Sequence, residues 1–340
     1  MTFEIRRGVN MWGWKDMGGD YVLDQDRWFT EKDLARCAAI GLDHVRLPLV
    51  ESILWDARGC RIAGAWDVVG SFLDWARNAG LRAIVELHVL RTHHFNIPGR
   101  RTLFTDPGEP DRFAGLWREL SAEFRARPAD TVAYELMNEP VADNDDDWNR
   151  VYKPAYHALR EREPDRTLIL GSNRWNQVRT YPNLDIPKND PNLMLTFHYY
   201  DPMQVTHYRA PFVTGCREYE GPIRYPGVPI AKEDLARLDA KPDAREKAVE
   251  YNRYADASVM EQDIQPVIAA GERAGCPVHC GEFGVIEFAP PEIRRAWIRD
   301  FRSVLERHNI PWTVWSYRGG YFGMFDASSA PTAVYEGLLT

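Results

Sequence analysis

The feature that most limits the fold of this chain is an alternation. Short apolar runs at residues 5–10, 44–48, 83–88, 131–138, 168–171, 194–198, 278–282 and 313–317 are separated by longer stretches. Six of those stretches are amphipathic at helical spacing, at residues 31–40, 67–79, 112–126, 147–161, 257–274 and 292–307. Strand-then-helix repetition predicts a parallel sheet with helical crossovers. Eight such strands favour a closed (β/α)8 barrel, with an open doubly wound sheet as the alternative. Local signals agree with the helix limits. Gly41 and Gly80 follow periodic segments, as helix-ending glycines do. Thr30 with Asp33 makes a helix start, and Pro128 and Pro164 stand where helices cannot continue.

A barrel of this kind takes about 250 residues and tolerates large loop insertions. The 340 residues therefore read as one domain, 1–340. The one anomaly is residues 201–254, which carry Pro202, Pro211, Pro222, Pro226 and Pro229 with Gly215, Gly221 and Gly227. This reads as a long ordered loop after the sixth strand, at the face formed by the strand ends. Loops of this length in compact domains usually serve function.

A net charge of −8 gives the chain no electrostatic reason to seek nucleic acid or an anionic membrane surface. No run approaches the ~20 apolar residues of a membrane span. The opening Met1-Thr2-Phe3-Glu4-Ile5-Arg6-Arg7 lacks the apolar core of a signal peptide, which predicts a cytoplasmic protein, or a secreted one had a leader been trimmed. Cys276 and Cys280 lie too far apart in a strand, roughly 13 Å, to bridge. The five cysteines read as free thiols. No Cys-x-x-Cys spacing occurs, and no cofactor, metal or partner subunit is expected.

Polar groups gather at the C-terminal ends of the candidate strands. Arg46 ends the second and His88 the third; Asn138 and Glu139 end the fourth. Asn173 and Trp175 follow the fifth, His198 and Tyr200 end the sixth, Glu282 the seventh and Trp315 the eighth. A barrel builds its active site at that face. Two of these residues are carboxylates on strands from opposite sides of an eight-stranded barrel. Glycosidic bond cleavage needs such a pair, one protonated to serve the leaving oxygen and one ionised to meet the anomeric carbon.

At this point the residues resemble a known family. Tyr134-Glu135-Leu136-Met137-Asn138-Glu139-Pro140 resembles the Asn-Glu-Pro signature of glycoside hydrolase family 5, in clan A. Arg6, Gly8, Val9 and Asn10 with Trp12 are similar to the family's first strand, and Val45-Arg46-Leu47-Pro48 to its second. His88 matches the third-strand histidine, and Phe197-His198-Tyr199-Tyr200 the sixth-strand pattern, extended by Thr206-His207. Gly281-Glu282-Phe283-Gly284 and Trp315-Ser316-Tyr317 complete an ordered set over nearly the whole chain.

The resemblance implies roles. Glu139 would be the acid/base and Glu282 the nucleophile of a retaining β-glycoside hydrolase, their carboxyl groups about 5–5.5 Å apart. Asn138 would bond the sugar 2-hydroxyl. Tyr200 would donate to Glu282, and Arg46 would help hold it ionised through charge. His88 and His198 would orient substrate and carboxylates, and Trp315 would be the sugar platform. A cis peptide at Trp315–Ser316 is also implied. The activity implied first is endo-β-1,4-glucanase; mannan, β-1,3-glucan, small glucosides and glycoconjugates are the alternatives.

Three local expectations follow from the residues. Side chains alternate along a strand, so Asn138 and Glu139 reach one pocket only if the pleat breaks there. Glu86 and Glu135 would then enter the barrel interior, where each needs a partner. Trp12, Trp14, Trp55, Trp148, Trp175, Tyr181 and Tyr321 are candidate sugar-binding aromatics, with Trp12 and Trp175 foremost. Trp75, Trp117 and Trp297 sit at helical spacing and read as core.

Two rival readings stand beside this one. A metal hydrolase would use Glu86, His88, His93 and His94, but adjacent histidines in extended chain point apart. A barrel that binds carbohydrate without cleaving it would not require both glutamates.

Overall fold

The structure, a computed structural model, describes residues 3–17, 20–23 and 28–339. Met1 and Thr2 of the N-terminal segment lie outside the described residues. Eight strands close into a (β/α)8 barrel. They are β1 (Arg7–Asn10), β2 (His44–Val50), β3 (Arg82–Val89), β4 (Val132–Glu135), β5 (Leu168–Gly171), β6 (Leu193–Tyr199), β7 (Val278–Phe283) and β8 (Trp312–Val314). Each pairs with its sequence neighbour, and β1 with β8 completes the ring. Neighbouring strands run parallel, for example with Val9 opposite Val45 and Ile84 opposite Ala133. Among the described residues no helix is long and apolar enough to cross a membrane. All five cysteines are free.

The chain divides into two compact units. One comprises Met1–His198 and Pro266–Gly281, the other Tyr199–Gln265 and Glu282–Thr340.

In the first unit, Phe3 and Ile5 precede β1 and join Ile84, Ala133, Ile169 and Met194 in a buried apolar cluster. Helix signals read from the sequence hold. The Thr30 amide donates to Asp33 Oδ2 at 2.8 Å ahead of the helix Glu31–Ala39. Gly41 and Gly80 end helices with φ of 85° and 77°, in the left-handed region that costs glycine little. The helix Asp145–Arg162 begins two residues before the expected 147, because the Asn144 side chain accepts from the Asp146 amide and caps it there.

In the second unit, Tyr199 stacks on Phe301 at 4.4 Å, and Phe283 packs against both Phe301 and Trp312. The expected helix over 257–274 is two helices, Ala257–Asp263 and Gln265–Ala274, the second belonging mainly to the first unit. Pro266 has no amide to continue the ladder, which explains the break. Residues 201–254 are not a plain loop: they carry the short helix Met203–Thr206, a 3-10 turn Asp234–Leu238 and the helix Pro242–Tyr251.

Strand β4 stops at Glu135, short of the expected 138. The Leu136 amide still donates to Ile169 of β5, but the Asn138 amide turns to Leu87 of β3. Glu139 then takes φ of 40°, left-handed backbone. The pleat thus breaks where the sequence required it. Strand β8 is likewise shorter than expected, ending at Val314.

Candidate active site

The first unit holds Glu139. Its Oε1 lies 2.8 Å from Nδ1 of His198, at the end of β6. Burial, with Arg46, His88 and His279 adding positive charge nearby, holds the His198 imidazole neutral, well below its ordinary range. Asn176 Nδ2 meets the other ring nitrogen at 3.4 Å. With Asn176 donating there, the neutral ring carries its proton on Nδ1, facing Glu139. The Glu139 carbonyl is held as well, 3.0 Å from Nε2 of His93. Burial pushes His93 down to about 4, so that ring is neutral and serves as an Nε2–H donor.

Asn138, beside Glu139, is fully buried. Its Oδ1 accepts from Arg46 at 3.0 Å, while its Nδ2 has no partner among the described residues. A buried amide donor left open costs about 1–3 kcal/mol, so its presence points to a ligand acceptor. Arg46 is itself fully buried. Its guanidinium grips Glu135 through two bonds, Nε–Oε2 at 2.7 Å and Nη2–Oε1 at 2.8 Å, and donates to Asn10 Oδ1 at 2.8 Å. Arg46 also holds the Asn138 side chain in place.

The two interior carboxylates have the partners they needed. Glu135 has Arg46, and Glu86 Oε1 lies 2.8 Å from His88 Nδ1 and 3.4 Å from Arg46. One guanidinium stands between two buried carboxyl groups. Burial pushes Glu86 up to about 8, so it keeps its proton at neutrality. Burial raises Glu135 as well, while its two bonds to Arg46 pull the other way.

The aromatic candidates separate by burial. Trp14, Trp55, Trp148 and Tyr181, proposed as sugar-binding, are instead core residues. Their polar tips are satisfied inside: Trp14 donates to Pro48 O at 2.6 Å, Trp55 to Glu119 at 2.8 Å, Trp148 to Gly171 O at 2.9 Å, and Tyr181 to Thr196 O. Trp12 and Trp175 stay half-buried. Trp12 lies 4.9 Å from the His88 ring. Trp175 sits in a run of three left-handed residues, Arg174, Trp175 and Asn176, with φ of 54°, 62° and 53°. Its indole donates to Phe95 O at 3.2 Å and its amide to Pro140 O at 3.2 Å. Of the expected core residues, Trp117 and Trp297 are buried and Trp75 is half-buried.

Several residues here were not singled out by the sequence. Asn176 and Phe95 act through loop geometry that no spacing announces. Asn173, picked at the strand end, braces the Ala142 backbone at 2.8 and 3.0 Å. His93 and His94 point to different partners, Glu139 O and the Tyr21 hydroxyl.

The second unit holds Glu282, buried at the end of β7. The Tyr200 hydroxyl donates to its Oε2 at 2.9 Å. Tyr200 is steadied by the rings of His207 at 5.1 Å and Phe322 at 6.1 Å. Burial pushes His207 down to about 3, leaving it neutral. The residues flanking Glu282 and Phe283 are glycines for a steric reason. A Cβ on Gly281 would meet Thr196 Oγ1 at 2.6 Å, and one on Gly284 would meet Trp315 O at 2.5 Å. Trp315 is half-buried, and the peptide joining it to Ser316 is cis.

Comparison with known proteins agrees. The family model for Cellulase (glycosyl hydrolase family 5) matches residues 7–320. Endoglucanase C of Acetivibrio thermocellus is 29% identical over 334 residues, covering 97% of this chain and 96% of its own. Cellodextrinase A of Ruminococcus flavefaciens is 26% identical over 310 residues, covering 90% of this chain and 83% of its own. Among solved structures, the cellulose synthase subunit Z of Clostridioides difficile superposes with a TM-score of 0.78 at 20% identity, covering 99% of this chain and all of that one. Cel5A of Thermotoga maritima with cellobiose gives 0.75 at 21% identity, covering 98% and 97%. These structures share the barrel fold. The family match runs over most of the chain, and so this protein belongs to glycosyl hydrolase family 5 and is a glycoside hydrolase with a carbohydrate substrate.

Proposed function

We propose that the protein is a retaining β-glycosidase that cleaves β-1,4-linked, gluco-configured chains internally, as an endo-β-1,4-glucanase. The observation that carries the reading is the unlike company of the two carboxylates. Glu139 accepts a hydrogen bond from a neutral imidazole, which brings no positive charge to hold the carboxyl ionised, and the carbonyl oxygen of the protonated acid can accept that bond too. Glu282 receives a hydrogen bond from a phenol, which favours the ionised form. That is the division of labour double displacement needs.

In the first step Glu282 attacks the anomeric carbon while Glu139 gives its proton to the departing glycosidic oxygen. A glycosyl ester on Glu282 results. In the second, Glu139 takes a proton from water, whose oxygen attacks the same carbon and releases Glu282. Asn138, through its open Nδ2, binds the sugar 2-hydroxyl, an interaction that strengthens in the transition state. His198 orients Glu139. Trp315 is the platform for the sugar at the bond being cut, and His88, Trp12 and Trp175 are further sugar contacts.

The β-1,4-glucan assignment is supported by the likeness to Endoglucanase C. A second reading is preference for short chains or chain ends. It is favoured by residues 201–254, a helix-bearing insertion able to narrow the cleft, and by the likeness to Cellodextrinase A. Product analysis on barley β-glucan, carboxymethylcellulose, glucomannan, laminarin and cello-oligosaccharides decides between them. Rapid loss of viscosity with few reducing ends supports endo action on glucan. Early accumulation of one short product supports the second reading. Hydrolysis confined to laminarin or mannan would overturn the substrate assignment.

A further inference from the structure

Three large aromatic rings stand exposed in the second unit and touch in series. Phe212 is 47% exposed, Phe288 40% and Tyr321 40%. Tyr321 lies between the others, its ring 6.3 Å from Phe212 and 5.4 Å from Phe288. Single exposed apolar residues are ordinary, but a contiguous exposed patch marks a binding surface. These three come from segments far apart in sequence, so their meeting is a product of the fold.

The row begins at the nucleophile candidate. Tyr200, which donates to Glu282, packs against His207 at 5.1 Å, and His207 meets Phe212 at 6.0 Å. From there the exposed rings lead away through Tyr321 to Phe288. The backbone presents Tyr321 at a cost. It has φ of 71°, after Gly319 and Gly320 at 68° and 62°. A bulky residue in that region is strained and persists only where its surroundings fix it. Here the Glu287 amide fixes it by donating to Tyr321 O at 2.7 Å. The Tyr321 hydroxyl makes no hydrogen bond to the described residues, which leaves it for a ligand.

We infer that Phe212, Tyr321 and Phe288 form a distal sugar shelf, which holds glucosyl residues of a β-glucan chain beyond the bond being cut. The ligand class follows from the chemistry. A pyranose offers an apolar C–H face to a ring and hydroxyls at its rim to a free phenol. The rings are inclined by 39° and 50°, which suits a chain whose sugars turn from one to the next. The shelf also gives the insertion after β6 a task, since Phe212 lies within it. This inference rests on the β-glucan reading above.

The test separates binding from turnover. Calorimetry on Glu282→Gln protein, titrated with cellobiose through cellohexaose, measures affinity against chain length. Affinity should rise with length, and Tyr321→Ala or Phe212→Ala should remove about tenfold, ~1.4 kcal/mol, from the longest chains only. Both side chains are exposed, and unchanged melting temperatures would confirm intact folds. An unchanged ladder in both variants, or an equal loss at every length, would overturn the shelf. Hydrolysis of cellohexaose by the wild-type protein tests the functional reading separately: cleavage with an unchanged ladder sinks the shelf alone. A variant-sensitive ladder without cleavage sinks the catalytic reading alone.

Discussion

Glu139 and Glu282 are the same residue type in opposite settings. Glu139 stands on broken strand geometry, at φ of 40°, with its carbonyl tied to His93 and its carboxyl to a neutral His198. Glu282 lies within the regular strand β7, flanked by close-packed glycines, and takes a phenol hydrogen bond. In the mechanism proposed above, the first setting holds the group that gains and loses a proton, and the second holds the one that stays ionised until it forms a bond. Environment, not residue identity, assigns the role.

Mutations break this comparison most sharply at the carboxylates themselves. Glu282→Ala should lower kcat by roughly four or more orders of magnitude. Added azide should restore part of it, with glycosyl azide of inverted configuration as product. Glu139→Ala should cost roughly 10²–10⁴-fold on cello-oligosaccharides, the span of general acid catalysis. On dinitrophenyl cellobioside, whose leaving group needs no proton, bond cleavage should be largely spared. Equal loss on both substrates, with no rescue of either variant, would reverse or void the assignment. Tyr200→Phe removes one hydrogen bond to a charged group, about 1.5–3 kcal/mol, so kcat/KM should fall roughly ten- to a hundredfold. The fall should appear with both good and poor leaving groups, unlike that of Glu139→Ala.

The smallest expected effects concern the buried layer below. Glu86 has an ordinary value of 4.5 and is pushed up to about 8 by burial. Between those limits the folded protein holds a proton that the unfolded chain has lost, so this contribution to stability drains away as pH rises. Glu86→Gln has no such slope. Its urea midpoint, relative to wild type, should climb from pH 4.5 to 8. His93 acts with the opposite sign. Its ordinary value is 6.5 and burial lowers it to about 4. The unfolded chain gains a proton the folded protein refuses, so stability falls as pH drops across that window. His93→Gln should flatten that acid limb.

Much of the fold was legible because strand and helix periods alternate so regularly. The break at the end of β4 was legible for a stricter reason: alternation forbids Asn138 and Glu139 from sharing a face. The need of Glu86 and Glu135 for partners was legible from burial cost alone, and Arg46 and His88 supply them. The aromatics were less so. Trp14, Trp55 and Trp148 fall in or beside loops, but an indole needs only one acceptor to be buried, and nearby carbonyl or carboxylate oxygens provide it. Asn176 and Phe95 were invisible because their contacts depend on a left-handed run at 174–176 that the residue types do not announce. The helix Pro242–Tyr251 was hidden by the prolines around it.

The account depends most on double displacement at one carbon. Proton NMR of wild-type protein cleaving cellotetraose, recorded within the first minutes, reads the configuration of the new reducing end directly. The β-anomer should appear first, with the α-anomer growing only at the pace of mutarotation. An α-anomer formed first would mean inversion, a single displacement by water, and would contradict Glu282 as nucleophile.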